Sequence, residues 1–439
     1  MKAVTSLVLV VAAGVIAACG GSTSSTSDPN ANTGNTNPGG SSTSAGPAAP
    51  TPPPAPDHGA PSEKYPAFAP QVGQVVDNGG PVLTNPVITT VTWPNDPNAD
   101  KFEQFGDEVG PTAFWKATTN EYGVSAATSG SDHHVRLTTD APASISDSDL
   151  AAFVAKNVGD PMSGWPAPNG QDIYILYLSA NTSLQLQGSD ACSQGVGGYH
   201  DSTTVNGKDV AFAIVPQCGG TASFSDTTLS ASHELVEAST DPYPQTNPAY
   251  VGFDSNDIAW DFFQQFQSEL GDACEFYRDS TMGSTTDFPF TVQRQWSNAS
   301  AKAGHDPCVP AAHGTYFNVT PLAMEDITLD LTAVGGGPKE KAKGYTVPIG
   351  QTKTIPLGFY SDAAMDSWSI KAIEGGALGT SQKGRLTLTL DVTSGKNGQK
   401  AYLTVKANIQ GKTKGELLSI VSTSNGVNHY MPIMISSPM

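Results

Sequence analysis

The sequence predicts an α/β domain followed by an antiparallel β-sandwich, and two observations favour this fold class. Apolar runs of strand length alternate with helix-like segments between residues 67 and 313, which is typical of α/β proteins. Between residues 314 and 439, apolar and polar side chains alternate along several segments, which indicates half-buried strands. Residues 19–66 are mainly Ser, Thr, Gly, Asn, Pro and Ala. Such a segment buries too little apolar surface to fold and is expected to be a disordered tether.

The amino terminus predicts export. Lys2 precedes an apolar run that ends at Ile16-Ala17-Ala18-Cys19. Because this run is short for a membrane-spanning helix, residues 1–18 are interpreted as a signal peptide. The residues up to Cys19 resemble the lipobox of bacterial lipoproteins, which implies acyl chains on Cys19 that anchor the protein to a membrane, facing outside the cytoplasm. If the bacterium is Gram-negative, Gly20 after the lipidated cysteine is compatible with sorting of the lipoprotein to the outer membrane, by resemblance to other such lipoproteins. An ordinary signal peptide with a chance cysteine is the alternative.

Charge and cysteine content narrow the function further. The net charge of −19 argues against a nucleic-acid partner, since phosphates would repel the chain. With Cys19 assigned to the lipid, an even set of cysteines remains: Cys192, Cys218, Cys274 and Cys308. In an oxidising compartment this indicates disulfides. Sequential pairing is preferred over the two other pairings because each bond then closes a modest loop. A zinc-thiolate site is the alternative, but no Cys-x-x-Cys spacing supports it.

Within residues 67–313, β-branched and aromatic runs predict strands, and the segments between them predict helices. Ser146 and Asp147 are candidate N-caps of the last helix. The predicted strands are Val87–Trp93, Asp172–Leu178 and Val210–Val215, and the predicted helices are Ala99–Gly106, Thr112–Tyr122 and Asp147–Val158.

Residues 314–439 predict a sandwich of seven or eight strands of immunoglobulin-like type. The segment Arg385–Val392 alternates apolar and polar side chains, and Asn397-Gly398 and Asn425-Gly426 are suited to hairpin turns. This part of the sequence has no group of residues that resembles a catalytic site. The sandwich could serve as a spacer, as a docking domain or as a glycan-binding domain.

The segment Ser225–Pro242 is predicted to form a helix that provides candidate catalytic and metal-binding residues. Ser225 or Asp226 would cap it, and Pro242 would mark its end. Ala231, Leu235 and Ala238 form a narrow apolar stripe on one side of this helix.

His233 and Glu237 lie one turn apart on the side opposite that stripe, so both can reach one metal ion. Glu234 is the candidate catalytic residue, as a general base acting on a water held by the metal. The spacing of these residues is that of the His-Glu-x-x-His motif of zinc peptidases, in which two histidines bind zinc and the Glu is the general base. Here Glu237 stands in place of the second His. Alternatively, His233 and Glu237 are simply solvated on a polar helix face.

A third metal ligand must come from outside this helix. Glu269 and Asp272 are the best candidates because a disulfide at Cys274 would hold their loop, and Asp241 is a weaker one. One nitrogen and two oxygen ligands make a harder site than that of the zinc peptidases. Zn²⁺ is the predicted cofactor, and manganese or calcium are alternatives.

Short motifs here resemble those of the plant phosphate-induced, or Exordium, proteins and of related bacterial secreted proteins. The resemblance spans roughly residues 81–308 and departs at Asp241, where the plant proteins have Asn. It implies an α/β, zincin-like mixed-sheet domain linked to cell-wall functions, with His200 and Tyr199 on the substrate side. The matching residues are Gly198-Tyr199-His200, Ser232-His233-Glu234-Leu235, Glu237-Ala238, Thr240-Asp241-Pro242, Trp260 and Gly271-Asp272-Ala273-Cys274.

Two functions from different classes follow. The first is a lipid-anchored metallohydrolase, most simply a peptidase, that acts on peptide or cell-wall material outside the cytoplasm. The second is a non-catalytic surface or cell-wall binding protein whose metal, if any, is structural or vestigial. The sequence has no Gly-x-Ser-x-Gly, Walker or dinucleotide-binding motif, which argues against serine hydrolase and nucleotide functions.

Overall fold

The computed structural model describes residues 56–439, apart from residues 220–222, 265–267, 276, 278, 287, 335, 377–383 and 411–414. The predicted signal peptide, Cys19 and most of the predicted tether lie outside the described residues. Among the helices that are described, none is long and apolar enough to cross a membrane.

A five-stranded mixed sheet organises the first half of the described chain. Its order is β2-β1-β3-β5-β4, with β4 antiparallel at one edge and the other neighbours parallel. Every residue of β3 is buried, as expected for a parallel strand covered on both faces. The predicted α/β mixed sheet is therefore confirmed. Its strands are β1 (Val87–Thr92), β2 (His134–Arg136), β3 (Asp172–Tyr177), β4 (Tyr199–Val205) and β5 (Lys208–Val215).

Helices cover both faces of this sheet. One face packs against α1, α2 and α4, and the other packs against α3. The Ser146 hydroxyl caps α3 by accepting a hydrogen bond from the Asp149 amide, as the sequence predicts. The helices are α1 (Ala99–Val109), α2 (Ala113–Thr119), α3 (Asp147–Gly159) and α4 (Phe224–Thr240).

Shorter elements connect and cover these layers. Two-stranded pairs are formed by Val75–Asp77 with Tyr250–Phe253, Thr281–Met282 with Val292–Gln293, and Gln295–Trp296 with Cys308–Val309, and a small sheet by Ser144–Ser146, Ser183–Leu186 and Ser189–Asp190. Short α-helices span Ile258–Phe263, Asp272–Glu275 and Asn298–Ala303, and 3₁₀ turns span Asn120–Tyr122, Ser131–His133, Cys192–Gln194, Ser255–Asp257 and Thr332–Val334.

Both predicted disulfides are present, Cys192–Cys218 and Cys274–Cys308. The sequential pairing is thus confirmed over the zinc-thiolate alternative. Disulfides persist in oxidising compartments, so they indicate an environment outside the cytoplasm.

The carboxyl-terminal part is a sandwich of two sheets. The predicted turn at Asn425-Gly426 is confirmed, with φ of 50° and 82°, because a tight hairpin turn requires positive φ at both positions. The prediction of a purely antiparallel sandwich is wrong at one pair, since Tyr345 lies beside Ile435 in a parallel ladder. The first sheet has the order Phe317–Pro321, Thr352–Ser361, Lys400–Ala407, Leu386–Leu390, and the second has the order Glu325–Leu329, Glu340–Thr346, Val427–Ser436, Gly415–Ser424, Trp368–Glu374, Ser394–Gly395.

The two halves share one hydrophobic core. The Phe263 and Tyr277 rings pack against Tyr430 of the sandwich, with centroids 5.4 and 6.0 Å apart. Ile258 and Met434 belong to a second hydrophobic cluster that both halves share. Neither half therefore completes its core alone.

The end of the predicted tether is bound to the sandwich. The Asn397 amide group donates to the carbonyls of Ser62 and Lys64 at 2.7 and 2.9 Å. Its oxygen accepts from the backbone amides of Ala67 and Ser361, both at 3.1 Å. The described residues just before position 67 are thus tied to the folded part.

Candidate metal centre

Helix α4 is more deeply buried than its sequence suggests. It begins at Phe224, one residue before the predicted cap, and ends at Thr240. Glu234 and Glu237 are only 5% and 4% exposed, so the interpretation of a solvated polar face is wrong. The strand Val292–Gln293 and the segment at Gly271 cover that face, which amphipathic periodicity cannot reveal.

His233 forms the first group of candidate ligands. Its Nε2 lies 2.9 Å from Oε2 of Glu237 and 3.6 Å from Oδ1 of Asp272. Its Nδ1 lies 3.1 Å from Oε1 of Gln293, whose own amide nitrogen donates to the Gly271 carbonyl at 2.8 Å. Since Oε1 of Gln293 can only accept, Nδ1 of His233 carries the proton in the neutral ring and Nε2 is free to bind a cation.

His200, on the edge strand β4, forms a second group that was not predicted. Its Nδ1 lies 3.5 Å from Oε2 of Glu234 and 3.7 Å from Oε2 of Glu237. Its Nε2 lies 3.1 Å from the backbone carbonyl of Asp241 and 3.3 Å from Oε2 of Glu269. Nε2 of His200 thus lies beside the Asp241 carbonyl and Glu269, and Nδ1 faces Glu234 and Glu237.

Tyr199, placed beside His200 on the substrate side by the resemblance, lies on the opposite face of the sheet. Its ring packs against Phe212 in the cluster beneath α3. Neighbouring strand residues point to opposite faces, so only one of the two can reach α4. This alternation is the signal that could have singled out His200.

The distances within each group suit metal ligands. Leaving out Glu269, three of the four imidazole-to-carboxylate distances are 3.5 to 3.7 Å, longer than a normal hydrogen bond. Ligand atoms held about 2.0 to 2.2 Å from one tetrahedral ion lie about 3.3 to 3.6 Å from each other. Among the described residues, two sets have ligand atoms within 4.8 Å of one another: His200, Glu234, Glu237 and His233, Glu237, Asp272.

Backbone groups hold Glu237 in place. Its Oε1 accepts from the amides of Gly271 and Asp272 at 2.9 and 3.3 Å, so Oε2 is the atom that faces both imidazoles. Gly271 permits this approach, because a Cβ there would lie 2.6 Å from His233 Nδ1 and 2.8 Å from Glu237 Oε1. A Cβ at Gly198 would lie 2.8 Å from Oε1 of Glu234.

Buried carboxylates outnumber the two histidines in this site. Burial lowers the pKa of His200, but Glu269, Glu234 and Glu237 outweigh it and hold that pKa well above its ordinary value. Burial likewise lowers the pKa of His233, and Glu237 outweighs it. Burial raises the pKa of Glu269 well above its ordinary value, and Oε2 of Glu269 makes no hydrogen bond within the described part of the chain. Burying so many carboxylates is costly unless positive charge is nearby.

The predicted ligands are thus divided between two places. His233, Glu237 and Asp272 come together, whereas Glu269 lies beside His200. Asp241 contributes its backbone carbonyl to His200, and its Oδ1 accepts from the Ala249 amide at 2.7 Å.

No family model and no curated protein matches this sequence. Among solved structures, the titin M3 domain aligns over 22% of this chain and 88% of its own, at 7% identity and a TM-score of 0.16. The titin M4 domain aligns over 21% and 85%, at 13% identity and a TM-score of 0.15. A protein of unknown function from Porphyromonas gingivalis W83 aligns over 36% and 80%, at 12% identity and a TM-score of 0.15.

Proposed function

We propose that this chain is a metal-dependent hydrolase of zincin-like layout, most simply a peptidase, that works outside the cytoplasm. The observation that carries the proposal is the first ligand group on α4. His233 and Glu237 face one point together with Asp272, and Gln293 fixes the free nitrogen of His233 toward it. The mixed sheet with this helix on one face supports the zincin-like layout that the sequence resemblance implies.

A divalent cation held by His233, Glu237 and Asp272 would supply Lewis acidity and lower the pKa of a water molecule. In the single-ion form of the proposal, Glu234 is the general base. One imidazole and two carboxylates bind zinc but also suit manganese or calcium. Asp272, 39% exposed at its side chain, is the most accessible of these groups, so a peptide would approach from its side.

A second candidate function is a non-catalytic cell-wall binding protein with a structural metal. It is favoured by the depth of the site, since the side chains of His200, Glu234 and Glu237 are 4 to 6% exposed. A closed metal site is typical of structural rather than catalytic metals. The immunoglobulin-like sandwich would then be the binding part.

We propose that a lipid on Cys19 links the chain to a membrane. The proposed substrate is peptide or cell-wall material. The lipid should make the wild-type chain partition into the detergent phase of a Triton X-114 separation. Cys19→Ser should move the chain to the aqueous phase. Equal partitioning of both chains would contradict the anchor.

The test of the enzyme proposal uses the full chain, because residues 67–313 share their core with the sandwich. The purified chain is loaded with zinc or manganese, its bound metal is measured by mass spectrometry, and a mixed peptide library is followed by liquid chromatography. We expect His233→Ala to lose metal and activity, and Glu234→Gln to lose activity while metal stays at His233. His305→Ala, at a side chain 57% exposed, is the matched control.

Three outcomes are distinct. Absence of bound metal in the wild-type chain contradicts the metal centre. Bound metal without hydrolysis of any peptide favours the structural role. Hydrolysis that Glu234→Gln leaves unchanged contradicts the part assigned to Glu234.

A further inference from the structure

We propose that the site holds two divalent cations that share Oε2 of Glu237. This inference rests on the proposed metal centre and extends it. The first cation is the one at His233 and Asp272, and the second lies between His200 and Glu234. Glu234 is then a ligand of the second cation rather than a general base.

The geometry of Glu237 is the first argument. Its Oε2 lies 2.9 Å from Nε2 of His233 and 3.7 Å from Nδ1 of His200. Its Oε1 is taken by the backbone amides of Gly271 and Asp272. One carboxylate oxygen therefore belongs to both ligand groups, and each group adds one imidazole and one further carboxylate of its own.

The orientation of the two imidazoles is the second argument. His200 can donate from Nε2 to the Asp241 carbonyl at 3.1 Å, and His233 can donate from Nδ1 to Gln293 at 3.1 Å. Ligating histidines generally donate their other ring N–H to such an oxygen. Because the two acceptors come from different segments, the two imidazoles are oriented independently, each toward its own carboxylate partner.

Charge is the third argument. Five carboxylates lie in or beside the site: Glu234, Glu237, Asp241, Glu269 and Asp272. If all five carboxylates are ionised and the ligating histidines are neutral, one dication leaves a formal charge of about −3 and two leave about −1. Oε2 of Glu269 and Oδ2 of Asp241 are buried without a hydrogen-bond partner in the described structure. Asp241 itself is 0% exposed, so its carboxyl group is shielded from water.

The donor set suggests the metal. Two imidazoles with three carboxylates, from Glu234, Glu237 and Asp272, resemble the histidine and carboxylate donors of dinuclear centres that hold iron or manganese. Oxygen-rich donors favour such harder ions over zinc. In hydrolases, a pair of metals about 3.5 to 4 Å apart stabilises the attacking and leaving oxygens together.

The experiment measures stoichiometry and magnetic coupling with Mn²⁺ as the probe. The full chain is stripped with a chelator, dialysed against manganese, and examined by metal analysis and electron paramagnetic resonance. We expect two equivalents and a spin-coupled spectrum in the wild-type chain. Glu234→Gln, which keeps the size of the side chain, should hold one equivalent and give an uncoupled six-line spectrum. His200→Ala should behave in the same way, and His305→Ala should keep two.

The outcomes separate this inference from the function on which it rests. One equivalent in the wild-type chain overturns the second cation and leaves the single-ion hydrolase intact. No bound metal overturns both. Two uncoupled equivalents, or two equivalents that persist in both Glu234→Gln and His200→Ala, place the extra ion elsewhere and overturn the shared Glu237.

Discussion

Gly271→Ala probes how closely the backbone approaches the candidate metal centre. An added Cβ would lie 2.6 Å from Nδ1 of His233, 2.7 Å from its Cε1 and 2.8 Å from Oε1 of Glu237. Ordinary contact requires 3.4 Å or more, so these atoms must move by roughly 0.6 to 0.8 Å. Overpacking of this kind costs about 1 to 3 kcal/mol of stability. The displaced atoms belong to His233 and Glu237, so metal affinity should fall as well.

Urea unfolding, followed by tryptophan fluorescence with the disulfides intact, measures the stability change, and metal titration measures the affinity. Gly283→Ala is the matched control, because a Cβ there meets nothing within 4 Å. It should be neutral or slightly stabilising through the unfolded chain. If Gly271→Ala is as stable as Gly283→Ala and binds metal equally well, the close packing around His233 is wrong.

Two further predictions concern other parts of the chain. Burial raises the pKa of Asp261 to about 7, so the folded chain binds a proton that the unfolded chain releases near pH 4. The free energy of unfolding should therefore fall from pH 4 to 7, by at most about 1.4 kcal/mol per pH unit from this group. Asp261→Asn should flatten that slope in urea titrations across this range. Asn397→Ala removes four hydrogen bonds and should cost about 2 to 3 kcal/mol. It should also speed trypsin cleavage after Lys64, and unchanged cleavage would contradict the bound segment.

Local pattern predicted several elements of the α/β domain well. The strand predicted at Val87–Trp93 is found at Val87–Thr92, and the helix predicted at Asp147–Val158 ends one residue later, at Gly159. These elements depend on β-branched runs and capping residues that act over a few positions. The same reasoning predicted α4 and its polar face, but it left open whether that face is solvated, because periodicity reports which side is apolar and not what covers the other side.

The candidate site was only partly predictable. His233 and Glu237 share one helix, so their spacing alone brings them together. Asp272, at the start of the short helix Asp272–Glu275, joins them, and its closeness to the Cys274 disulfide made this a reasonable expectation. His200 was assigned to the substrate side, because nothing in the sequence shows that the edge strand passes over the end of α4.

The sequence by itself determined the strands and helices of the α/β domain and the sandwich, including α4. It also determined the pairing of the cysteines, whose disulfides close loops of 26 and 34 residues. These features depend on short-range periodicity and on the modest entropy of closing short loops. Only the tertiary structure decided that Glu237 faces both His200 and His233, and that the two halves share a core. Such contacts join residues far apart in sequence and are selected by packing of the whole chain, which no local pattern encodes.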